Sequence, residues 1–477
     1  MDTASFQFVA YGLAIAIISN LSRSRVWRSV VLMVASLVFL GLVAQNVFVL
    51  LPLAGFLLLG YFGLALLERG WSRPFVWILL IILVYVWLKQ YTFLPARSFL
   101  HFSYLTLGLS YILFRVLHLL IDHGMGNEQR HVGLGAYLLY TLNFTTFVSG
   151  PIQRYDEFAR DQYASEPVQL GARVVGAQLE RIVRGFFKVN VLAMLFNMVR
   201  VDALGDLLQA GPPWMKFYAA FRLVVAYPLF LYANFSGYID IVIALARLMR
   251  VRLPENFDRP FEASSVLDFW NRWHITLSRW LKTYVYNPLL LTLMRRVSSR
   301  GMQQLLGVLC YFVTFFLIGI WHGRTSEFVF FGVLTGAGMA LNKLWQLGMT
   351  RALGRKQYRA LANNFFYRGF GRGLNFVWFA FTLFWFWGRW PEIKRAFAAL
   401  SLAHWAEAWL AAWLCAAAIL TLWEWLRAVL LSIRSGGEPL LTSRYAGVVY
   451  ASALGLAAFV VTVLLNQPAP GIVYRAF

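Results

Sequence analysis

The sequence predicts an all-α, polytopic membrane protein with roughly a dozen transmembrane or re-entrant helices, a span taking about 20 residues. Three observations predict this class. Of 477 residues, 60% are hydrophobic and only 13% charged, against about 25% charged in a soluble domain; mean hydropathy is +0.62. The apolar residues fall in long runs without the alternation of a barrel strand, so helices satisfy the backbone in lipid. The net charge of +22 gathers between those runs, where anionic headgroups attract Arg and Lys. Membrane lipid therefore accounts for the charge, and no nucleic-acid partner is expected.

The elements follow in order. Apolar runs lie near Phe8–Leu21, Val30–Val49, Leu51–Leu67, Phe75–Tyr91 and Tyr104–Ile121. Met1 to Phe6 lacks a basic start and carries Asp2, so the first run is expected to stay as a span rather than be cleaved. The weaker run Val132–Val148 leads into SGPIQRYDEF (149–158), where Gly150-Pro151 stops a helix. From Glu166 to Arg200, Arg173, Arg181, Arg184 and Lys188 recur among apolar residues at helical spacing. That pattern predicts an amphipathic helix on the membrane surface leading into a span. The run Phe217–Leu248 carries Asn234, Ser236 and Asp240, which at membrane depth should face the protein interior. Leu253–Pro260 reads as a loop.

Ser265 is then a candidate cap for one helix reaching about Tyr284. On it, Trp270, Trp273, Leu277, Trp280 and Leu281 form one face and Asn271, His274, Ser278 and Lys282 another. Asp268 and Arg272 stand at i, i+4 and can pair. A basic loop with Arg295, Arg296 and Arg300 precedes runs Leu305–Trp321 and Phe328–Leu347, and a second basic stretch covers Arg351 to Arg372. Two spans separate them, so both should lie on one side, which the positive-inside rule makes cytoplasmic. Runs Leu374–Trp390, Leu402–Trp425 and Val448–Leu465 complete the chain. The expectation is a single membrane-embedded domain over 1–477. Peripheral spans would occupy 1–100, a motif-bearing core 101–350 and further spans 351–477. Cys310 and Cys415 sit far apart in apolar runs and read as packing residues, without metal spacing.

Two histidines stand out in this apolar chain. His322 lies in Trp321-His322-Gly323-Arg324-Thr325-Ser326-Glu327, which reads either as a polar turn between spans or as acid–base chemistry. A neutral imidazole can accept a hydroxyl proton near pH 7. Counting spans puts it opposite the basic loops; shorter, tilted helices would put it partway down. His274 is either a satisfied interfacial histidine or a functional one, with Asn271 and Ser278 placed to orient a ring or a substrate. His118, Asp122 and His123 at a helix end read as structural. No GxSxG elbow, P-loop or metal spacing occurs, so no metal is expected.

Four segments carry a family likeness: SGPIQRYDEF (149–158), YANFSGYIDIVIALARLMRVRLPENF (232–257), DFWNRWHITLSRWLKTYVYNPL (268–289) and IGIWHG (318–323). With them the chain resembles the membrane-bound O-acyltransferase superfamily, in its bacterial branch of alginate O-acetyltransferases and teichoic-acid D-alanyl transferases. The ending GIVYRAF is similar to the alginate-type C-terminus. The resemblance implies helices around a central funnel or tunnel. It implies His322 as the catalytic histidine and His274 as the second functional one, supported by Asn271, Trp321, Asp268, Arg272, Trp273 and Ser278. It also implies acyl transfer, acetyl before D-alanyl, to an extracytoplasmic polysaccharide or acceptor protein. The donor would be a cytoplasmic thioester, acyl-CoA or an acylated phosphopantetheine carrier protein, used as co-substrate with no permanently bound cofactor. The membrane would be the bacterial cytoplasmic (inner) one. Direct transfer and an acyl intermediate are both compatible with the sequence. The charged Arg324–Glu327 departs from the family pattern. The rival classes are a transporter or flippase and a non-catalytic subunit of an export complex.

Overall fold

The computed structural model describes residues 5–44, 46–126, 131–435, 438–439, 444–465 and 471. Two compact units divide the chain, one from Met1–Phe186, Gly237–Glu255 and Gly471–Phe477, the other from Phe187–Ser236 and Asn256–Pro470. Among the described residues, eight helices are long and apolar enough to cross a membrane, with two shorter apolar ones at Phe6–Ser19 and Pro74–Leu88. The multi-pass reading therefore holds. A two-residue antiparallel pairing of Arg434–Ser435 with Glu438–Pro439 leaves the fold all-α.

The first unit begins with α1 (Phe6–Ser19), α2 (Arg25–Val43), α3 (Leu51–Glu68), α4 (Pro74–Leu88) and α5 (Leu109–Gly124). Short α6 (Leu134–Thr141), α7 (Phe144–Phe147) and α8 (Tyr155–Gln162) follow. Broken backbone at membrane depth needs partners, and two buried guanidinium groups supply them. Arg115 donates to the carbonyls of Tyr140 (3.0 Å), Thr141 (2.8 Å) and Thr146 (2.5 Å). Arg28 donates to those of Gln162 (3.3 Å) and Ala164 (3.2 Å).

The motif 149–158 is scaffolding within this unit. Tyr155 N–H donates to His118 Nε2 (3.1 Å), Tyr140 O–H to the Gln153 carbonyl (2.5 Å), and Gln153 Nε2 to the Arg252 carbonyl (2.9 Å). Arg154 reaches Asp122 (3.3 Å) and His123 reaches Glu68 (3.4 Å). This polar set is consumed in holding loops, as its structural reading requires.

Residues 172–208 form one continuous rod: α9 (Ala172–Phe187), a π-turn (Lys188–Ala193) and α10 (Met194–Leu208). Two cations of the stripe pair inside the first unit, Arg181 with Asp240 (2.9 Å) and Glu255 (2.6 Å) and Arg184 with Asp240 (3.5 Å), while Arg173 is exposed. α11 (Pro213–Leu248) starts in the second unit and ends in the first. Its Asn234, Ser236 and Asp240 are buried, as their polarity at membrane depth predicts.

The second unit continues with α12 (Val266–Arg272), α13 (Ile275–Leu281), a second π-turn (Lys282–Tyr286) and α14 (Asn287–Met294). Then come α15 (Arg300–His322), α16 (Ser326–Ala362), α17 (Phe365–Thr382), α18 (Phe384–Trp387), α19 (Trp390–Ala398), α20 (Leu402–Ser432) and α21 (Arg444–Leu465). α15 and α16 form a tight hairpin. A Cβ on Gly319 would meet Gly332 Cα at 2.3 Å, and one on Gly332 or Gly336 would meet the Phe316 or Phe312 carbonyl at 2.5 or 2.7 Å. Only glycine allows the two backbones to approach this closely.

The basic stretch from Arg351 is helix rather than loop. Its Arg, Lys, Gln, Ala and Leu are strong helix formers, and the rod bends only at Gly354 (φ 77°). Arg351 donates to Gln304 at 2.9 Å, which brings both basic stretches to one end of the hairpin, opposite His322. Cys310 is buried, but Cys415 is exposed, so only the first is an interior packing residue.

Candidate active site

The expected single helix over 265–284 is broken. Ser265 caps its start, accepting from Asp268 N–H at 3.2 Å. The chain then turns at His274, which takes left-handed φ 45°, ψ 50° and separates α12 from α13. The π-turn rotates the residues after Leu281 again. Asn271, His274, Ser278 and Lys282 therefore do not share one straight helical stripe. The reason is tertiary: Asn256 captures the backbone on the far side of the turn, as Ile275 N–H donates to its carbonyl at 3.0 Å.

Both histidines are buried, His274 at 1% and His322 at 3% exposure. The turn between the two spans is 323–325, and His322 ends α15 just before it. Its ring sits edge-on to Phe386 (5.1 Å between centroids) and Phe331 (5.9 Å). Gly323 follows because a Cβ there would strike the Phe328 ring at 2.0 Å. His274 meets Phe235 edge-on at 5.1 Å. The Trp321 indole lies against both imidazoles, 4.7 Å from His322 and 6.2 Å from His274. One aromatic ring thus joins the two histidine motifs. Burial pushes the His274 imidazole down to about 3, so near pH 7 it is a neutral hydrogen-bonding ring and not a cation.

A half-open cavity of about 280 Å³ lies in the same unit, lined by neither histidine nor Trp321. α12, α13 and the π-turn give it Asn271, Ile275, Ser278, Arg279, Lys282 and Tyr286; α15 gives it Tyr311, Thr314 and Phe315. Ser278 Oγ is buried there without a hydrogen-bond partner among the described residues. Ile275 follows His274 directly. Phe315 lies seven residues before His322, about 10 Å along a helix axis. The cavity thus has a polar, cationic wall, and Ile275 and Phe315 are the lining residues that link it along the chain to the two histidine motifs.

Three of the other expected supports lie off the cavity lining. Trp273 is core, stacked on Phe269 (5.6 Å) and packed on Phe379 (4.9 Å). Asp268 and Arg272 pair with each other (2.9 Å) and do not line the cavity. The charged segment after Gly323 is a brace: Trp390 N–H donates to the Glu327 carboxylate (3.0 Å) and its indole N–H to Ser326 Oγ (3.0 Å). Sequence reasoning missed Phe331, Phe386, Tyr311, Thr314 and Asn256. Of these, only Asn256 lay in a quoted motif.

A teichoic acid D-alanyltransferase of Streptococcus thermophilus is 30% identical over 240 residues, 50% of this chain and 57% of that protein. A "Probable alginate O-acetylase AlgI" of Pseudomonas syringae pv. tomato is 31% identical over 245 residues, 50% of this chain and 43% of its own. A peptidoglycan O-acetyltransferase of Helicobacter pylori is 29% identical over 209 residues, 44% and 37% of the respective chains. The matches thus span roughly half of these curated relatives or less. The sequence model described as MBOAT, membrane-bound O-acyltransferase family, matches residues 37–371, well over half of the chain and all four motif segments. This chain belongs to the membrane-bound O-acyltransferase family.

Proposed function

We propose that the chain is an O-acyltransferase of the bacterial cytoplasmic membrane that moves an acetyl group from a cytoplasmic thioester to a hydroxyl of an envelope polysaccharide or acceptor protein. The observation that carries this reading is the buried His322–Trp321–His274 ring group, in the same unit as a polar, cationic cavity. His322 takes the hydroxyl proton as the oxygen attacks the thioester carbonyl. The C–S bond then breaks, and the thiolate takes the proton back from the imidazolium. Neutral His274 donates to the oxyanion as it develops, where a fixed donor counts most. Arg279 and Lys282 meet the phosphates of coenzyme A or of a phosphopantetheine arm. D-alanyl transfer is the second reading, favoured by the D-alanyltransferase relatives.

The test gives purified protein acetyl-coenzyme A or an aminoacylated carrier protein, with envelope polymer as acceptor and product mass as the readout. Acetylated polymer from the first donor supports the reading, alanylated polymer from the second supports the alternative, and neither product contradicts both. Lys282→Glu should raise the donor KM about tenfold and leave kcat within about twofold, because it alters ground-state and transition-state binding alike.

A further inference from the structure

The left-handed backbone of His274 needs an external cause. For a residue with a Cβ this conformation is strained, and it persists only where the surroundings impose it. Here they are one short segment. Asn256–Asp258 runs antiparallel to the turn: Asp258 N–H donates to the Arg272 carbonyl at 2.9 Å, and Phe257 bridges to Trp273.

Asn256 takes the next two amides. Its backbone carbonyl accepts from Ile275 N–H at 3.0 Å. Its side-chain oxygen accepts from Thr276 N–H at 3.1 Å and from the Thr276 hydroxyl at 2.9 Å. These are the first two N–H groups of α13, which have no acceptor inside the helix. The residue in the capping position is His274, and its side chain makes no cap hydrogen bond. Asn256, fully buried, supplies the cap in its place. The imidazole is thereby released from a capping role and held between Phe235 and Trp321. The amide nitrogen of Asn256 has no hydrogen-bond partner among the described residues, so the side-chain oxygen alone makes the bonds to Thr276.

We propose that Asn256 is a positioning residue for the acyl transfer: it caps α13 from outside and so fixes the His274 imidazole at the ring group. This inference rests on the acyl-transfer reading, and the experiment separates the two. Wild type, Asn256→Ala, Asn256→Asp and His322→Ala are purified and assayed for kcat and donor KM. In parallel, carbethoxylation of His274 by diethyl pyrocarbonate is followed by peptide mass spectrometry against exposed His101.

In Asn256→Ala, kcat should fall on the order of 10-fold to 100-fold, the size seen when an orienting partner is lost. Donor KM should stay within about twofold of the wild-type value, and His274 should label several-fold faster relative to His101. Asn256→Asp keeps the acceptor oxygen and should restore most of kcat and the slow labelling. Wild-type kcat and labelling in Asn256→Ala would overturn the proposal, as would a loss that Asn256→Asp does not repair. If Asn256→Ala does not fold, Asn256→Asp and Thr276→Val carry the test: the first should match wild type and the second should fall between the extremes, any other order overturning it. If wild type transfers no acyl group, or His322→Ala equals wild type, the acyl-transfer reading fails instead, and the labelling still reports whether Asn256 sets His274.

Discussion

His322→Ala is expected to fold, insert and bind its donor, and to transfer acyl groups at least about 10²-fold more slowly than wild type. Loss of a positioned general base removes about 10²–10⁴-fold in rate. The fold should survive because His322 is the last residue of α15, and the backbone around it is set by Gly319, Gly323 and Gly332. The neighbouring Phe331 and Phe386 rings would border a cavity where the imidazole was, which costs a few kcal/mol at most. The measurement is kcat with equal melting temperature and unchanged donor KM. A His322→Gln protein keeps volume and hydrogen bonding but cannot exchange a proton near pH 7, and should be as slow as the alanine variant. Full activity in His322→Gln would leave the imidazole no acid–base role.

Gly332→Val should have the largest effect on the fold. Its Cβ would lie 2.5 Å from the Phe316 carbonyl and 3.2 Å from Gly319 Cα, both backbone atoms that cannot turn aside. Overpacking usually costs about 1–3 kcal/mol, but here the two helices must separate, and α15 carries Trp321 and His322 at its end. We expect little folded protein in detergent, and no transfer activity in what remains. Gly332→Ala should be intermediate, with a lower melting temperature. As a control, Gly348→Ala on the same helix meets no atom within 4 Å and should behave as wild type. A normally folded, active Gly332→Val would mean that the α15–α16 crossing is wider than described.

Much of this was legible from residue order. Long apolar runs located α2, α3, α15, α16 and α20, because a span is a local, additive property of composition. The two basic stretches shared a side because two spans separate them, and the Arg351–Gln304 hydrogen bond agrees. Buried Asn234 and Asp240 followed from the cost of exposing polar groups to lipid. What failed depended on partners distant in sequence. Helical periodicity ran straight through His274, since nothing local reveals that Asn256, eighteen positions earlier, captures the turn. Two cations of the α9 stripe, Arg181 and Arg184, pair with Asp240 and Glu255, partners that spacing along the helix does not reveal. Asp268 and Trp273 stood in a quoted motif; the first pairs with Arg272, as its i, i+4 spacing allows, and the second packs in the core. A motif marks a neighbourhood; which side chains open into the cavity is decided by helix breaks that composition does not encode.

The most direct measurement is an electron cryo-microscopy structure of the full chain in a lipid nanodisc, bound to a thioether analogue of acetyl-coenzyme A that cannot transfer its acyl group. The pantetheine arm is expected in the cavity between the α12–π-turn segment and α15. Its phosphates should meet Arg279 and Lys282, and its carbonyl should lie within hydrogen-bond reach of His274 or His322. An analogue bound elsewhere, or a carbonyl separated from both imidazoles by packed side chains, would contradict this expectation.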